Sequence, residues 1–184
     1  MTDTASAANS SQTYSAIAKL LHWVIVILIG LLLYAGWTAE DLPREQRLGV
    51  MQTHAGLGLT VLVLMVSRLF WRLGHPAPAL PAGMPRWQVI ASKATHHGLY
   101  FFVILQPLLG LAITTTSKFN LKAFGVLGLQ IAPNETIHGI GETLHGINAW
   151  VIAALIALHV AAALYHHFMR RDDVLKRMLP FAKI

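Results

Sequence analysis

Four long apolar stretches constrain this chain more than any other feature of its sequence. They cover about residues 16–37, 48–70, 89–116 and 136–168. At 1.5 Å per helical residue, each is long enough to cross the hydrocarbon layer of a bilayer, which is about 30 Å thick. A backbone inside lipid must satisfy its own hydrogen bonds, so helices are the spanning form that these stretches favour. We therefore predict an all-α fold, an integral membrane four-helix bundle.

The same segmentation predicts a single domain. Residues 14–184 are expected to form one domain of four transmembrane helices, and residues 1–13 a flexible cytoplasmic tail rich in Ser, Thr and Ala. The connection between the second and third helices contains four prolines, so it cannot be helical throughout. These are Pro76, Pro78, Pro81 and Pro85.

Composition excludes several classes of protein. Hydrophobic residues make up 55% of the 184 residues and charged residues 12%, whereas a soluble domain carries about 25% charged residues. The chain has no cysteine, which excludes disulfides, iron–sulfur clusters, Cys-ligated zinc and covalently attached c-type haem. The net charge of +6 indicates a basic cytoplasmic face and the lipid bilayer as a partner, not nucleic acid.

The distribution of charge predicts the orientation in the membrane. With four spans, the tail, the connection between the second and third helices and the C-terminal segment share one face. Ten of the fourteen basic residues lie on that face, against three of the eight acidic ones. Basic residues are enriched on the cytoplasmic side of membrane proteins. We therefore predict cytoplasmic termini in a multi-pass membrane protein.

Four histidines lie at matched depths in the predicted spans. His145 and His159 are fourteen residues apart on the fourth helix, which places them on one helical face about 21 Å apart. His54 matches the depth of His145 near the outer surface, and His22 matches His159 near the inner one. Two bis-histidine sites stacked across a membrane are what two b-type haems require, because neutral imidazole is a strong axial ligand.

Other interpretations of these histidines carry less weight. A single intramembrane histidine is most often an interhelical hydrogen-bonding group, but four at matched depths are harder to explain in that way. Zinc sites and proton relays favour nearby carboxylates, which these spans lack away from their ends. His166 and His167 lie at the inner end of the same stripe, where they are either solvated groups or a proton source for a quinone. His96 and His97 are interpreted as polar packing residues.

The residues around these histidines resemble the bacterial cytochrome b561 family, small dihaem membrane proteins, and within it the superoxide-oxidising members. The likeness extends from about residue 14 to residue 180. It is carried by Leu21-His22-Trp23, Met51-Gln52-Thr53-His54-Ala55-Gly56-Leu57-Gly58, the segment 64–73, Leu144-His145 and the segment 158–167. One departure is Gly146, because the family often has Trp-His-Glu where this chain has Leu144-His145-Gly146.

The resemblance implies a four-helix bundle in the bacterial inner membrane that binds two haem b groups through His22, His54, His145 and His159. It further implies an oxidoreductase of the superoxide:ubiquinone type, which oxidises superoxide at the periplasmic face and passes electrons to ubiquinone. By the same likeness, His166, the proline-rich connection and Arg86 would border the quinone.

Three alternatives remain open from the sequence. The chain can be a haem b membrane anchor that relays electrons between a peripheral dehydrogenase or hydrogenase and the quinone pool, in which case it has a redox partner protein. It can be a transporter or channel that uses its histidines for protons or metal ions. It can also be a structural membrane protein, for which the histidine pattern would be coincidental.

Overall fold

The computed structural model describes residues 13–81 and 83–182, and the predicted tail therefore lies outside the described residues except for Thr13. Four helices dominate the fold: α1 (Ala16–Thr38), α2 (Arg44–Gly74), α3 (Arg86–Thr116) and α4 (Glu135–Tyr165). All four are long and apolar enough to cross a membrane. The prediction of a multi-pass helical membrane protein is confirmed.

Helices α2 and α3 begin earlier than their apolar cores. Helix α2 starts at Arg44 and α3 at Arg86, each directly after a proline, Pro43 and Pro85. A proline fits the start of a helix, because its missing N–H would have no intrahelical partner there. The polar first turn of each helix therefore extends beyond the apolar stretch from which the span was predicted.

The apolar core lies between the two levels of histidines. Its buried members come from all four helices and are 3–5% exposed: Ile25, Val61, Met65, Val103 and Ile152. Ile152 is seven residues from both His145 and His159 on α4, so two helical turns separate it from each. Many other large apolar side chains are exposed on the outside of the bundle, as expected for helices surrounded by lipid.

The α3–α4 connection contains a short hairpin that the apolar pattern of the sequence does not predict. Strand β1 (Lys122–Ala123) pairs antiparallel with β2 (Leu127–Gly128). Phe124 in its turn has a φ of 53°, a left-handed conformation that is uncommon for a residue other than glycine. Its N–H donates to the carbonyl oxygen of Gln52 at 2.9 Å, which attaches the hairpin to α2.

At the opposite end, three segments meet. The N–H of Tyr14 donates to the carbonyl oxygen of Arg177 at 3.3 Å, and Trp23 Nε1 donates to the carbonyl oxygen of Met178 at 3.0 Å. Arg177 also donates from Nη1 to the carbonyl oxygen of Ala79, in the proline-rich connection. The start of α1, this connection and the C-terminal segment thus share one face. The assignment of that face to the cytoplasm stays a prediction.

Candidate functional site

The outer histidine pair joins α2 and α4. The imidazole rings of His54 and His145 are neighbours, with their centroids 6.2 Å apart and their planes inclined by 58°. Both side chains are half-buried. The sequence predicted that these residues lie at one depth on two helices, and the structure places their rings next to each other.

The inner pair joins α1 and α4. The ring centroids of His22 and His159 are also 6.2 Å apart, with an interplanar angle of 72°, and both residues are half-buried. Arg68 on α2 lies beside this pair and donates from Nη1 to the carbonyl oxygen of Ala18 at 2.6 Å. This bond ties α2 to α1 one helical turn before His22.

The spacing of both pairs fits a single iron between two axial imidazoles. A ligating nitrogen lies about 2 Å from a bound metal and about 1 Å from the centroid of its own ring, so rings on opposite sides of one iron have centroids about 6 Å apart. Each pair could supply two protein ligands. Among residues 13–81 and 83–182, no group of three or more His, Asp or Glu side chains is arranged to hold a metal ion. Two ligands suit an iron whose remaining positions are filled by a porphyrin.

The polar atoms of the outer pair fit a ligand as well. The Nδ1 atoms of His54 and His145 are buried, and neither has a hydrogen-bond partner of good geometry among the described residues. An unpartnered polar atom in an apolar interior is costly. Glycines flank both rings: a Cβ on Gly36 would lie 3.6 Å from Cε1 of His54, and one on Gly110 would lie 3.4 Å from Cε1 of His145. Helices α1 and α3 therefore approach these rings closely.

A polar network that the sequence analysis missed supports His145. Gln106 on α3 donates from Nε2 to the carbonyl oxygen of His145 at 3.1 Å. Asn148 is 4% exposed and donates from Nδ2 to Gln106 Oε1 at 2.6 Å and to the carbonyl oxygen of Phe102 at 2.9 Å. Two carboxamides at membrane depth are themselves a signal, since intramembrane polar groups usually have a partner or a function.

A third histidine lies at the level of the inner pair. The ring of His96 on α3 is 5.3 Å from that of His159 and nearly perpendicular to it. Its Nδ1 is 3.4 Å from Ser92 Oγ. The neighbouring His97 is exposed and bonds instead to the carbonyl oxygen of Lys93, at 2.7 Å. Of the two histidines interpreted as packing residues, only His96 therefore adjoins the inner pair.

His166 is more enclosed than its position near the membrane surface indicates. It is 8% exposed, and its Nδ1 lies 2.6 Å from Oδ2 of Asp172. From the sequence, Asp172 was only one of the three acidic residues counted on the predicted cytoplasmic face. Arg86, the other residue assigned to the quinone, is exposed at the first position of α3, so the two residues have different surroundings.

The proline-rich connection borders a cavity of about 410 Å³ between α2 and α3. Its wall combines apolar side chains with one arginine, one histidine and one tyrosine: Leu69, Arg72, Leu73, Pro76, Ala77, His97 and Tyr100. Neither His166 nor Arg86 belongs to this wall. The cavity lies at the same end of the bundle as the inner pair.

The sequence of the chain matches a known protein family. Residues 13–181 match the family described as prokaryotic cytochrome b561. Cytochrome b561 homolog 1 of Escherichia coli strain K12 is 32% identical over 171 residues, which cover 89% of this chain and 94% of that protein. Cytochrome b561 homolog 2 of the same strain is 28% identical over 185 residues, 93% of each chain.

A third relative has a more specific name. The probable superoxide oxidase CybB of Yersinia pestis is 28% identical over 174 residues, which cover 91% of this chain and 96% of that protein. The resemblance inferred from the histidine segments is confirmed. The chain belongs to the prokaryotic cytochrome b561 family of multi-pass bacterial membrane proteins, which bind haem b and transfer electrons.

Proposed function

We propose that the protein is a dihaem b-type cytochrome that oxidises superoxide at the periplasmic face and reduces ubiquinone at the cytoplasmic side. The observation that carries this proposal is the presence of two histidine pairs with the same ring separation, 6.2 Å, at two levels of one bundle. Histidine pairs at two depths, rather than at one, favour an electron-transfer path that extends across the membrane.

The protein would hold one haem b at each level. His54 and His145 would be the axial ligands of the outer haem, and His22 and His159 those of the inner haem. When bound, the two haems supply one-electron carriers within a medium that excludes water. The chain itself fixes the imidazole rings: Gln106 positions the backbone of His145, and the apolar core around Ile152 separates the two levels.

The spacing along α4 supports electron transfer between the two faces. His145 and His159 are fourteen residues apart within one unbroken helix, a rise of about 21 Å. This distance covers most of the hydrocarbon layer, which is about 30 Å thick. A donor at one surface and an acceptor at the other each lie close to one histidine pair.

The choice of superoxide as donor rests on the resemblance and on the name of one relative, the probable superoxide oxidase CybB. Ubiquinone as acceptor rests on His166, Arg86 and the proline-rich connection, all at the end that holds the inner pair. The balanced reaction oxidises two superoxide ions to two molecules of oxygen. It reduces one ubiquinone to ubiquinol, with uptake of two protons.

The test follows the absorption of the haems in detergent-purified protein. Enzymatically generated superoxide is expected to reduce them, and superoxide dismutase is expected to abolish that reduction. Ubiquinone with a short isoprenoid tail is then expected to reoxidise them, with two superoxide ions consumed per ubiquinone.

Three results would contradict the proposal, each in a different way. Reduction that is insensitive to superoxide dismutase excludes superoxide as the donor. Failure of superoxide to reduce the haems, together with a large soluble subunit that co-purifies, favours the membrane anchor. A colourless protein excludes both haem functions and favours the transporter.

A further inference from the structure

An aspartate outside the span is bonded to the buried histidine at the end of α4. Asp172 Oδ2 lies 2.6 Å from His166 Nδ1, and the two side chains are only 18% and 11% exposed. The other carboxylate oxygen of Asp172, Oδ1, accepts a hydrogen bond from the N–H of Val174 at 3.1 Å. Both oxygens of this carboxylate are therefore engaged, one by the ring and one by the backbone.

A change of backbone path brings these two residues together. On a continuing α-helix, residues six positions apart would point about 120° away from each other. Here α4 passes into a π-helical turn (His166–Arg170), and Arg171 then adopts a left-handed conformation with φ 54°. The N–H groups of Arg171 and Asp172 both donate to the carbonyl oxygen of His166. π-Helical turns are frequent at functional sites.

The segment that follows is fastened to the rest of the bundle. Trp23 bonds to the carbonyl oxygen of Met178 and Tyr14 to that of Arg177, while the Arg177 side chain bonds to Ala79. Asp172 is thus part of a fixed turn that encloses His166. Seven residues separate His166 from His159, so His166 lies nearly two helical turns below the inner pair on the same face of α4.

We propose that Asp172 is a positioning residue for proton delivery to the quinone through His166. An ionised carboxylate can only accept hydrogen bonds, so Nδ1 carries a proton and Nε2 is the nitrogen left free to exchange one. A carboxylate on the far side of the ring also holds the imidazole in one orientation and stabilises it while it carries two protons. This inference rests on the proposed function, which supplies the quinone.

The two protons that the reaction requires can both be delivered by Nε2 of His166, one after the other. Reduction of ubiquinone takes two electrons and two protons. His166 donates the proton on Nε2 to a quinone oxygen, regains a proton at Nε2 from cytoplasmic water, and donates again. The proton on Nδ1 stays between the ring and Asp172 throughout. The electrons come from superoxide, as in the proposed function.

The experiment measures the oxidation of the haems by quinone separately from their reduction by superoxide. Haem-loaded protein is first reduced with dithionite, the excess is removed, and the protein is mixed with short-tailed ubiquinone while haem absorption is followed. The variants are Asp172→Asn, which keeps the shape and removes the charge, and Asp172→Glu, which restores the carboxylate. Asp173→Asn is the matched control, because Asp173 is the next residue and pairs with Lys176 on the protein surface.

We expect Asp172→Asn to slow reoxidation by quinone about 10- to 100-fold, as loss of a residue that orients a functional histidine does. The loss is expected in kcat rather than in KM for ubiquinone, with a larger solvent isotope effect. Haem content and the rate of haem reduction by superoxide are expected to stay within twofold of the unsubstituted protein. Asp172→Glu should recover part of the rate, and Asp173→Asn should leave it unchanged.

Several outcomes overturn the inference. Equal reoxidation rates in Asp172→Asn and Asp173→Asn show that Asp172 has no part in the reaction. Loss of haem or a lower unfolding temperature in Asp172→Asn, with an unchanged rate per bound haem, assigns it a structural role alone. Slow reoxidation in Arg72→Gln but not in Asp172→Asn places the quinone in the cavity between α2 and α3 instead. If the unsubstituted protein is not reoxidised at all, the proposed acceptor itself is wrong.

Discussion

Gln106 on α3 donates a hydrogen bond to the backbone carbonyl oxygen of His145 on α4, at 3.1 Å. The same carboxamide accepts a bond from Asn148. A single residue of α3 is thereby connected to the position of a proposed haem ligand and to a buried asparagine three residues further along α4. Substitution of Gln106 should therefore change both the stability of the protein and the reduction potential of the proposed outer haem.

The first prediction concerns the substitution Gln106→Leu. It leaves the 4% exposed Asn148 without one of its partners, and an unsatisfied buried polar group costs about 1–3 kcal/mol. We expect a lower unfolding temperature in detergent and a shifted reduction potential of one haem, because His145 loses a backbone restraint. Redox titration of haem absorption measures the potential.

Gln130→Leu provides the matched control. Gln130 also donates from Nε2 to a backbone carbonyl oxygen, that of Ser117 at 2.8 Å, but it lies in the α3–α4 connection. This variant is expected to lose some stability and to keep both potentials. If Gln130→Leu shifts a potential as much as Gln106→Leu does, the proposed support of His145 is wrong.

The second prediction concerns the contact between the hairpin and α2. A Cβ on Gly56 would lie 2.5 Å from three ring atoms of Phe124, whereas one on Gly49 would meet no atom within 4 Å. Gly56→Ala should therefore force the ring away and destabilise the protein by about 1–3 kcal/mol. Gly49→Ala should leave stability unchanged or raise it by up to about 1 kcal/mol.

Thermal unfolding in detergent compares these two alanine variants. Gly56 points about 160° and Gly49 about 140° away from His54 around α2, so both variants should retain their full haem content. Equal unfolding temperatures would show that the hairpin does not depend on this contact.

The third prediction separates His96 from the proposed ligands of the inner haem. His96 lies 5.3 Å from His159, closer than the separation of about 6 Å expected for two rings on opposite sides of one iron. We therefore expect His96→Gln to retain two haems per chain and to alter only the inner haem's spectrum or potential. His97→Gln, on the exposed side of the same helix turn, should change neither. Loss of a haem in His96→Gln would show that His96, not His22, pairs with His159.

Hydropathy was sufficient to predict the four spans, because bilayer thickness fixes the length of an apolar helix. Hydropathy did not predict where α2 and α3 begin, because a polar turn follows Pro43 and Pro85 at the start of each helix. The proline before each helix was the sequence feature that indicated its first residue. The β1–β2 hairpin is attached to α2 by the bond from Phe124 to Gln52, which joins residues far apart in the sequence and has no local pattern.

Helical periodicity predicted which histidines share a face and a depth, and the structure brings those rings together in two pairs. Periodicity cannot predict the contact between His166 and Asp172, because the π-helical turn and the left-handed Arg171 interrupt the α-helical repeat. It also gave no means of separating His96 from His97, since that difference depends on how α3 is rotated against α4.

The central claim is that two histidine pairs each hold one haem b, and haem stoichiometry tests it most directly. The measurement is a reduced-minus-oxidised spectrum with the haem-to-chain ratio of purified protein. We predict two low-spin b haems per chain in the unsubstituted protein, one in His54→Ala and in His22→Ala, and none in the double variant. His75→Ala, in the connection after α2, is the control and should keep two. One haem in the unsubstituted protein, or two haems retained in either single variant, would contradict the assignment.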